Sequence, residues 1–193
     1  MLDHLKERHI ILASHSPRRR FLLRQLGIEF TEVSADVDES IPYGLTPDQA
    51  AIFLAEKKAD HFQDLIQDPK NIVITADTLV LINGQILGKP EGKDGARQML
   101  ATLSGNMHQV VTGVCIRSKG KSRTFTSWTN VFFNHLSDQE IEYYLEHFKP
   151  YDKAGAYGIQ EWIGYIGITR IEGSYFNVMG LPVQRLYEEL CEY

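Results

Sequence analysis

The chain has 193 residues, of which 43% are hydrophobic and 23% charged, enough for one compact domain with a real core. Its net charge of −5 argues against a general nucleic-acid binder, which is basic overall. No apolar run approaches the ~20 residues that span a bilayer, and the two cysteines, Cys115 and Cys191, form neither a metal-ligand spacing nor a disulfide framework.

The N-terminal stretch MLDHLKERHIILAS has no long apolar segment and no small-residue cleavage site, so a soluble cytoplasmic protein with reduced thiols is expected. His9 to Ala13 reads as a short buried strand. Ser14-His15-Ser16-Pro17 breaks it, Ser16 suits an N-cap, and Pro17 suits the first helical position. Phe21, Leu22, Leu23 and Leu26 give that helix an apolar face, and Gly27 is its natural stop. Phe30 to Ala35 is a second strand, followed by the acidic loop Asp36-Val37-Asp38-Glu39. Thr46-Pro47-Asp48-Gln49 has the form of a capping box opening a helix to about His61.

Asn71 to Ile82 is strongly apolar and β-branched, interrupted by Thr75-Ala76-Asp77-Thr78. Asn83-Gly84 is the strongest hairpin signal in the chain, with Gln85 to Lys89 as the return strand. A helix fits Asp94 to Leu103, a strand pair fits Gln109 to Arg117 and Arg123 to Phe133 around Lys119-Gly120, and Ser137-Asp138-Gln139-Glu140 is a second capping box. Its helix places Ile141, Tyr144, Leu145 and Phe148 on one side. A glycine-rich region over residues 152–167 leads to a strand near Ile166 to Ile171, a loop from Gly173 to Gly180, and a last helix from Pro182. Hairpins together with a strand-turn-helix unit predict an α/β fold on a mixed sheet.

Several of these segments bear chemistry. A strand running into Ser14-x-Ser16-Pro17-Arg18-Arg19 at a helix start offers backbone N–H groups, two hydroxyls and guanidinium forks to an anion. The same residues also suit a capped helix with a solvated basic face. Successive helical residues lie ~100° apart, so Arg18, Arg19 and Arg20 cannot all point one way, and Arg18 and Arg19 in the first turn are the better candidates. Asp77 interrupts an apolar run, which is costly for a carboxylate without a partner. It suits a metal ligand, a general base, or a strand-end residue making local turn bonds. A two-residue turn at Asn83-Gly84 sets Lys89 opposite Thr78 and on the other face from Asp77 unless Gly88 bulges. Glu39 in the acidic loop, one of Lys57 and Lys58 on the capped helix, and Gln160 in Lys153-Ala154-Gly155-Ala156-Tyr157-Gly158-Ile159-Gln160 complete the set. The paired donor and acceptor of Gln160 suit a base edge. None of the seven histidines falls into a metal motif.

Five segments in order resemble the Maf family, the septum-formation-inhibitor-like proteins. They are residues 11–19 (ILASHSPRR), 76–80 (ADTLV), 87–90 (LGKP), 153–160 (KAGAYGIQ) and 173–182 (GSYFNVMGLP). The resemblance implies an elongated mixed sheet flanked by helices, with a cleft between two lobes, as in the fold of inosine triphosphatases. It also implies a metal-dependent pyrophosphatase acting on nucleoside triphosphates. By resemblance Asp77 is the proton acceptor, and Ser14, Ser16, Arg18, Arg19, Lys58 and Lys89 hold phosphate. Glu39 and Asp77 bind Mg²⁺ or Mn²⁺. Arg18, Thr78 and Gln160 match the branch acting on dTTP and UTP rather than the 7-methyl-GTP branch, which typically has Trp in place of the arginine. A small-molecule triphosphate is then the expected partner, with no nucleic acid and no membrane. The resemblance is compatible with a homodimer, although no heptad or apolar stripe points to one. The competing expectations are cleavage of a modified nucleotide and a nucleotide-binding regulator of septum formation with little turnover. The physiological role implied is removal of noncanonical nucleotides, control of division, or both.

Overall fold

A computed structural model describes residues 2–193. In chain order the elements are β1 (His9–Ala13), α1 (Pro17–Gln25), β2 (Phe30–Val33), α2 (Pro47–Asp60), α3 (Gln63–Gln67), β3 (Asn71–Ile82) and β4 (Gln85–Leu87). There follow α4 (Gly92–Leu103), β5 (Met107–Ser118), β6 (Lys121–Phe133), α5 (Asp138–Phe148), α6 (Trp162–Gly167), β7 (Ile168–Gly173), α7 (Tyr175–Met179) and α8 (Val183–Cys191). The sheet has seven strands in the order β2-β1-β3-β5-β6-β7, with β4 paired to β3. β1 runs parallel to both β2 and β3, while β4 on β3 and β7 on β6 are antiparallel. The expected mixed α/β sheet is therefore present.

Local chemistry explains where the helices begin. Ser16 caps α1, its hydroxyl accepting the Arg19 N–H at 3.4 Å, with Pro17 at the first position. Thr46 and Gln49 close a reciprocal capping box on α2, and Ser137 and Glu140 do the same on α5. Each box satisfies two backbone donors that a helix start leaves without partners. Asn83 and Gly84 both adopt positive φ, 52° and 77°, which is the backbone a two-residue hairpin turn of right-handed twist requires.

By contacts the chain divides into two units. One comprises the described residues up to Asp77, with Thr112–Ser127 and Gly180–Tyr193; the other comprises Thr78–Val111 and Trp128–Met179. In the first unit, Ile11, Ala13, Ile66 and Val73 form an apolar cluster covered by Val33, Phe62 and Leu65. Ala55 and Ala59 of α2 pack with Cys115 of β5. The small residues there have a backbone counterpart: a Cβ on Gly113 of β5 would lie 2.4 Å from the Ala51 carbonyl, so α2 rests directly on the strand. In the second unit, His108, Phe133 and Tyr157 pack edge-on or tilted with ring centroids 5.2–5.4 Å apart.

β3 spans Asn71–Ile82, the stretch read from the sequence, and runs continuously through Thr75 and Asp77. Its polar groups are satisfied in place: the Thr75 hydroxyl donates to the Ala55 carbonyl at 2.6 Å, and Asp77 pairs with Lys58. The end of the glycine-rich region is helix α6, so β7 starts at Ile168 rather than near Ile166. Two of its glycines serve close packing: a Cβ on Gly164 would collide with the Ile159 carbonyl, and one on Gly167 would press on the Phe133 ring. Finally, the expected loop before Gly180 contains α7, started by the Ser174 hydroxyl accepting the Asn177 N–H at 3.3 Å. The Asn177 amide then donates to the Val110 carbonyl and the Thr129 hydroxyl, which fixes this short helix on β5 and β6.

Candidate active site

The parallel pairing of β1 with β3 brings two predicted segments to the same ends of neighbouring strands. Leu12 lies opposite Ile74, so Ser14 and Asp77 both follow the carboxyl end of this register, where open α/β sheets bind ligands. The turn after β1 is pinned at both its serines. The Ser14 N–H donates to Val33 O at 2.9 Å, and the Ser14 hydroxyl accepts the Ser16 N–H at 3.2 Å. This sets the N-terminus of α1, with its uncompensated N–H groups and positive dipole end, directly after the sheet.

The three arginines part company as helical spacing predicts. Arg20 pairs with Glu32 of β2 at 2.9 Å, as does Arg24. Arg19 is half-buried and its Nε donates to Gly180 O at 2.7 Å. Burial lowers its pKa, opposed by the charges of Asp77 and Glu39 and reinforced by that of Arg18. Those four side chains therefore share one electrostatic neighbourhood, and the guanidinium stays protonated because arginine starts far above neutral pH.

The acidic side of this neighbourhood is built from β3 and α2. Side chains alternate along a strand, so Thr75 and Asp77 share the face that Thr75 shows to Ala55 of α2. Lys58 stands three residues beyond Ala55, about one helical turn on, and reaches Asp77. Its ammonium also meets Glu39 Oε1 at 2.8 Å, while the neighbouring Lys57 turns away to Asp38 at 2.9 Å. Of the two lysines the sequence left open, Lys58 is thus the one beside Asp77. Asp77 is only 7% exposed, so removing its cation would leave a nearly buried charge alone.

One cation thus serves both Glu39 and Asp77. Among the described residues no group of three or more His, Cys, Asp or Glu side chains forms a metal cage. Two hard oxygen donors nevertheless fit a divalent cation that takes its remaining ligands from phosphate oxygens and water. With the serines at the start of α1 and the cationic side chains of Arg18, Arg19 and Lys58, the arrangement can neutralise a polyphosphate and hold a water beside a carboxylate.

Thr78, Lys89 and Gln160 belong to the second unit. The hairpin ladder pairs Ile82 with Gln85, Leu81 with Ile86 and Val80 with Leu87, and then stops. Gly88 leaves it, its carbonyl accepting the Gly155 N–H at 3.1 Å. The strict register that set Lys89 opposite Thr78 therefore does not extend to Lys89. The same bond ties the segment carrying Lys89 to the segment carrying Gln160. Gly155 seats against Val80, where a Cβ would lie 3.1 Å from the valine side chain.

A polar cluster around Gln160 was not foreseen from sequence. Tyr144, fully buried on α5, donates its hydroxyl to Glu161 and accepts the Gly158 N–H at 3.0 Å. Lys153, 8% exposed, reaches Glu161 at 3.2 Å and Asp152 at 2.8 Å. Helical periodicity marks Tyr144 as an inward residue, but nothing in the sequence shows that its hydroxyl meets a loop fourteen residues on.

The chain matches the family model described as Maf-like protein over residues 9–193. It is 53% identical to a dTTP/UTP pyrophosphatase of Porphyromonas gingivalis, covering 100% of this chain and 98% of the relative. It is 51% identical to the protein of that name in Phocaeicola vulgatus (98% of each) and 45% identical to the one in Cytophaga hutchinsonii (98% of this chain, 86% of the relative). Among solved structures it is similar to a HAM1 protein from Coxiella burnetii, with a TM-score of 0.50 at 15% identity over 96% of this chain and 100% of that one. That likeness concerns the fold.

Proposed function

This chain belongs to the Maf-like protein family, and from that membership we propose that it hydrolyses dTTP and UTP to the nucleoside monophosphate and pyrophosphate. The observation that carries the reading is the Lys58 ammonium shared by Asp77 and Glu39 beside Arg19 and the capped start of α1. Relatives at 45–53% identity over nearly the whole chain bear the corresponding name.

In this mechanism the triphosphate lies along the N-terminus of α1, held by Ser14, Ser16, Arg18, Arg19 and Lys58, with Lys89 contributing charge. Asp77 accepts a proton from a water whose oxygen attacks the α-phosphorus. The bond from the α-phosphorus to the bridging oxygen breaks, and pyrophosphate leaves with its developing charge matched by the arginines and lysines. Glu39 and Asp77 would hold Mg²⁺ or Mn²⁺, which would supply charge neutralisation for the phosphate oxygens. By the family resemblance, base selection is assigned to Thr78, Gln160 and Arg18. The reaction requires no nucleic acid and no membrane. Among the described residues no helix is long and apolar enough to cross one, and the free thiols of Cys115 and Cys191 suit the cytoplasm.

Asp77→Asn tests the reading. The amide keeps the volume and cannot accept the proton, so pyrophosphate release should fall by about 10²–10⁴-fold, with the circular dichroism spectrum unchanged. Near-normal turnover removes Asp77 from this role.

A further inference from the structure

Gln160 has an amide whose oxygen is buried and has no hydrogen-bond partner among the described residues. Its nitrogen end is placed differently. A Cβ built on Gly158 would lie 3.0 Å from Gln160 Nε2, 3.0 Å from Glu161 Oε1 and 2.8 Å from Glu161 Cδ. The missing side chain of Gly158 is therefore what lets the amide nitrogen and the carboxylate crowd one spot. A carboxylate only accepts hydrogen bonds, so the NH₂ end of the amide is the end it favours.

Glu161 is itself fixed. One oxygen accepts the Tyr144 hydroxyl and the other meets Lys153 at 3.2 Å. Tyr144 also takes the Gly158 N–H, so carboxylate and turn are joined through one buried hydroxyl, with the Gln160 amide nitrogen beside them. Such a network far exceeds what an exposed turn needs. A carboxamide free to rotate by 180° presents donor and acceptor in either order. It then serves uracil or thymine, whose N3 donates, as well as cytosine, whose N3 accepts. A carboxamide held in one orientation can discriminate, because the wrong base leaves a buried group unpaired.

We propose that Glu161, held by Tyr144 and Lys153, is a positioning residue that fixes the Gln160 amide and so sets the preference for imide pyrimidines over cytosine. This rests on the functional reading above, in which Gln160 meets the base.

The test is the ratio of kcat/KM for UTP to that for CTP, read as pyrophosphate release by the full chain. In Glu161→Gln the replacement side chain can both donate and accept, which lifts the constraint at constant size. The ratio is expected to fall by at least about tenfold, within the discrimination available to a paired hydrogen-bond reading, while kcat on UTP stays within about threefold. Tyr144→Phe leaves the carboxylate but removes its anchor, so the ratio falls in the same direction. It also decides the matter by the same ratio should Glu161→Gln fail to fold. A ratio within twofold of the wild type overturns the proposal, including the case of uniform loss on every nucleotide that a merely structural role produces. The wild type separates the two readings. If it cleaves UTP and the variants keep its ratio, only the positioning role fails; if it releases pyrophosphate from neither UTP nor dTTP, both fail together.

Discussion

Replacing Gly113 by alanine should damage both stability and turnover. The added Cβ would lie 2.4 Å from the carbonyl carbon and oxygen of Ala51 and 2.7 Å from the Ile52 nitrogen. Ordinary carbon contacts sit at about 3.5–4.0 Å, so α2 and β5 must separate by about 1 Å along that line. The obstacle is helix backbone, which cannot swing aside as a side-chain end can. Overpacking typically costs about 1–3 kcal/mol, and a backbone collision belongs at the upper end, about 3 kcal/mol. For a chain of this size each kcal/mol moves Tm by about 2–4 °C, so thermal unfolding followed by circular dichroism should show a loss of roughly 6–12 °C. Because α2 carries Lys58, the same shift pulls its ammonium from Asp77 and Glu39. Misplacement of about 1 Å can lower turnover by about 10²-fold. Gly95→Ala in α4 is the matched control. Its Cβ meets nothing closer than 3.7 Å, so the gain in helix propensity should raise stability by up to about 1 kcal/mol. A Gly113→Ala protein that melts within about 2 °C of the wild type would refute the close-approach argument.

Arg20→Ala removes only an exposed pairing with Glu32, so stability should change by less than about 1 kcal/mol and pyrophosphate release should stay near normal. Arg19→Ala removes a half-buried donor beside Asp77 and should lower kcat/KM by about 10²-fold or more; equal effects of the two would contradict the assignment. Burial lowers the pKa of His108 from 6.5 to about 4, so below pH 6.5 the unfolded chain takes up a proton that the folded chain refuses. Stability is then lost as pH falls from 6.5 towards 4, by about 2 kcal/mol at pH 5 from this group. Urea unfolding at pH 7.5 and 5 should show that His108→Gln flattens the dependence, and an unchanged slope would assign the loss elsewhere.

The fold was legible where a local signal coincides with its structural cause. Ser16-Pro17, Thr46 with Gln49, Ser137 with Glu140 and Asn83-Gly84 each carry their own stereochemistry, and each element they govern lies where expected. What stayed hidden depends on partners distant in the chain. Asp77 stands as a lone carboxylate in the apolar run of β3 because the sequence does not show Lys58 arriving from α2 to pair with it. The glycines at 164 and 167 stood out only as part of a glycine-rich region, yet their role is to admit the Ile159 carbonyl and the Phe133 ring.

The candidate site divides along the same line. Helical spacing separated Arg19 from Arg20 in advance, and the Glu32 pairing of Arg20 agrees with it. The position of Lys89 could not be read from hairpin register, because Gly88 leaves the ladder for a bond to Gly155. The grip of Tyr144 on Gly158 and Glu161 joins a helix to a loop, a juxtaposition that no periodicity encodes.

The central claim is met most directly by a nucleotide panel at fixed Mg²⁺ or Mn²⁺, with dTTP, UTP, CTP, the purine triphosphates and 7-methyl-GTP as substrates and the released phosphate identified. Pyrophosphate and monophosphate formed chiefly from dTTP and UTP are the predicted result. Orthophosphate as the product, pyrophosphate chiefly from 7-methyl-GTP, or binding of nucleotides without any release would contradict it.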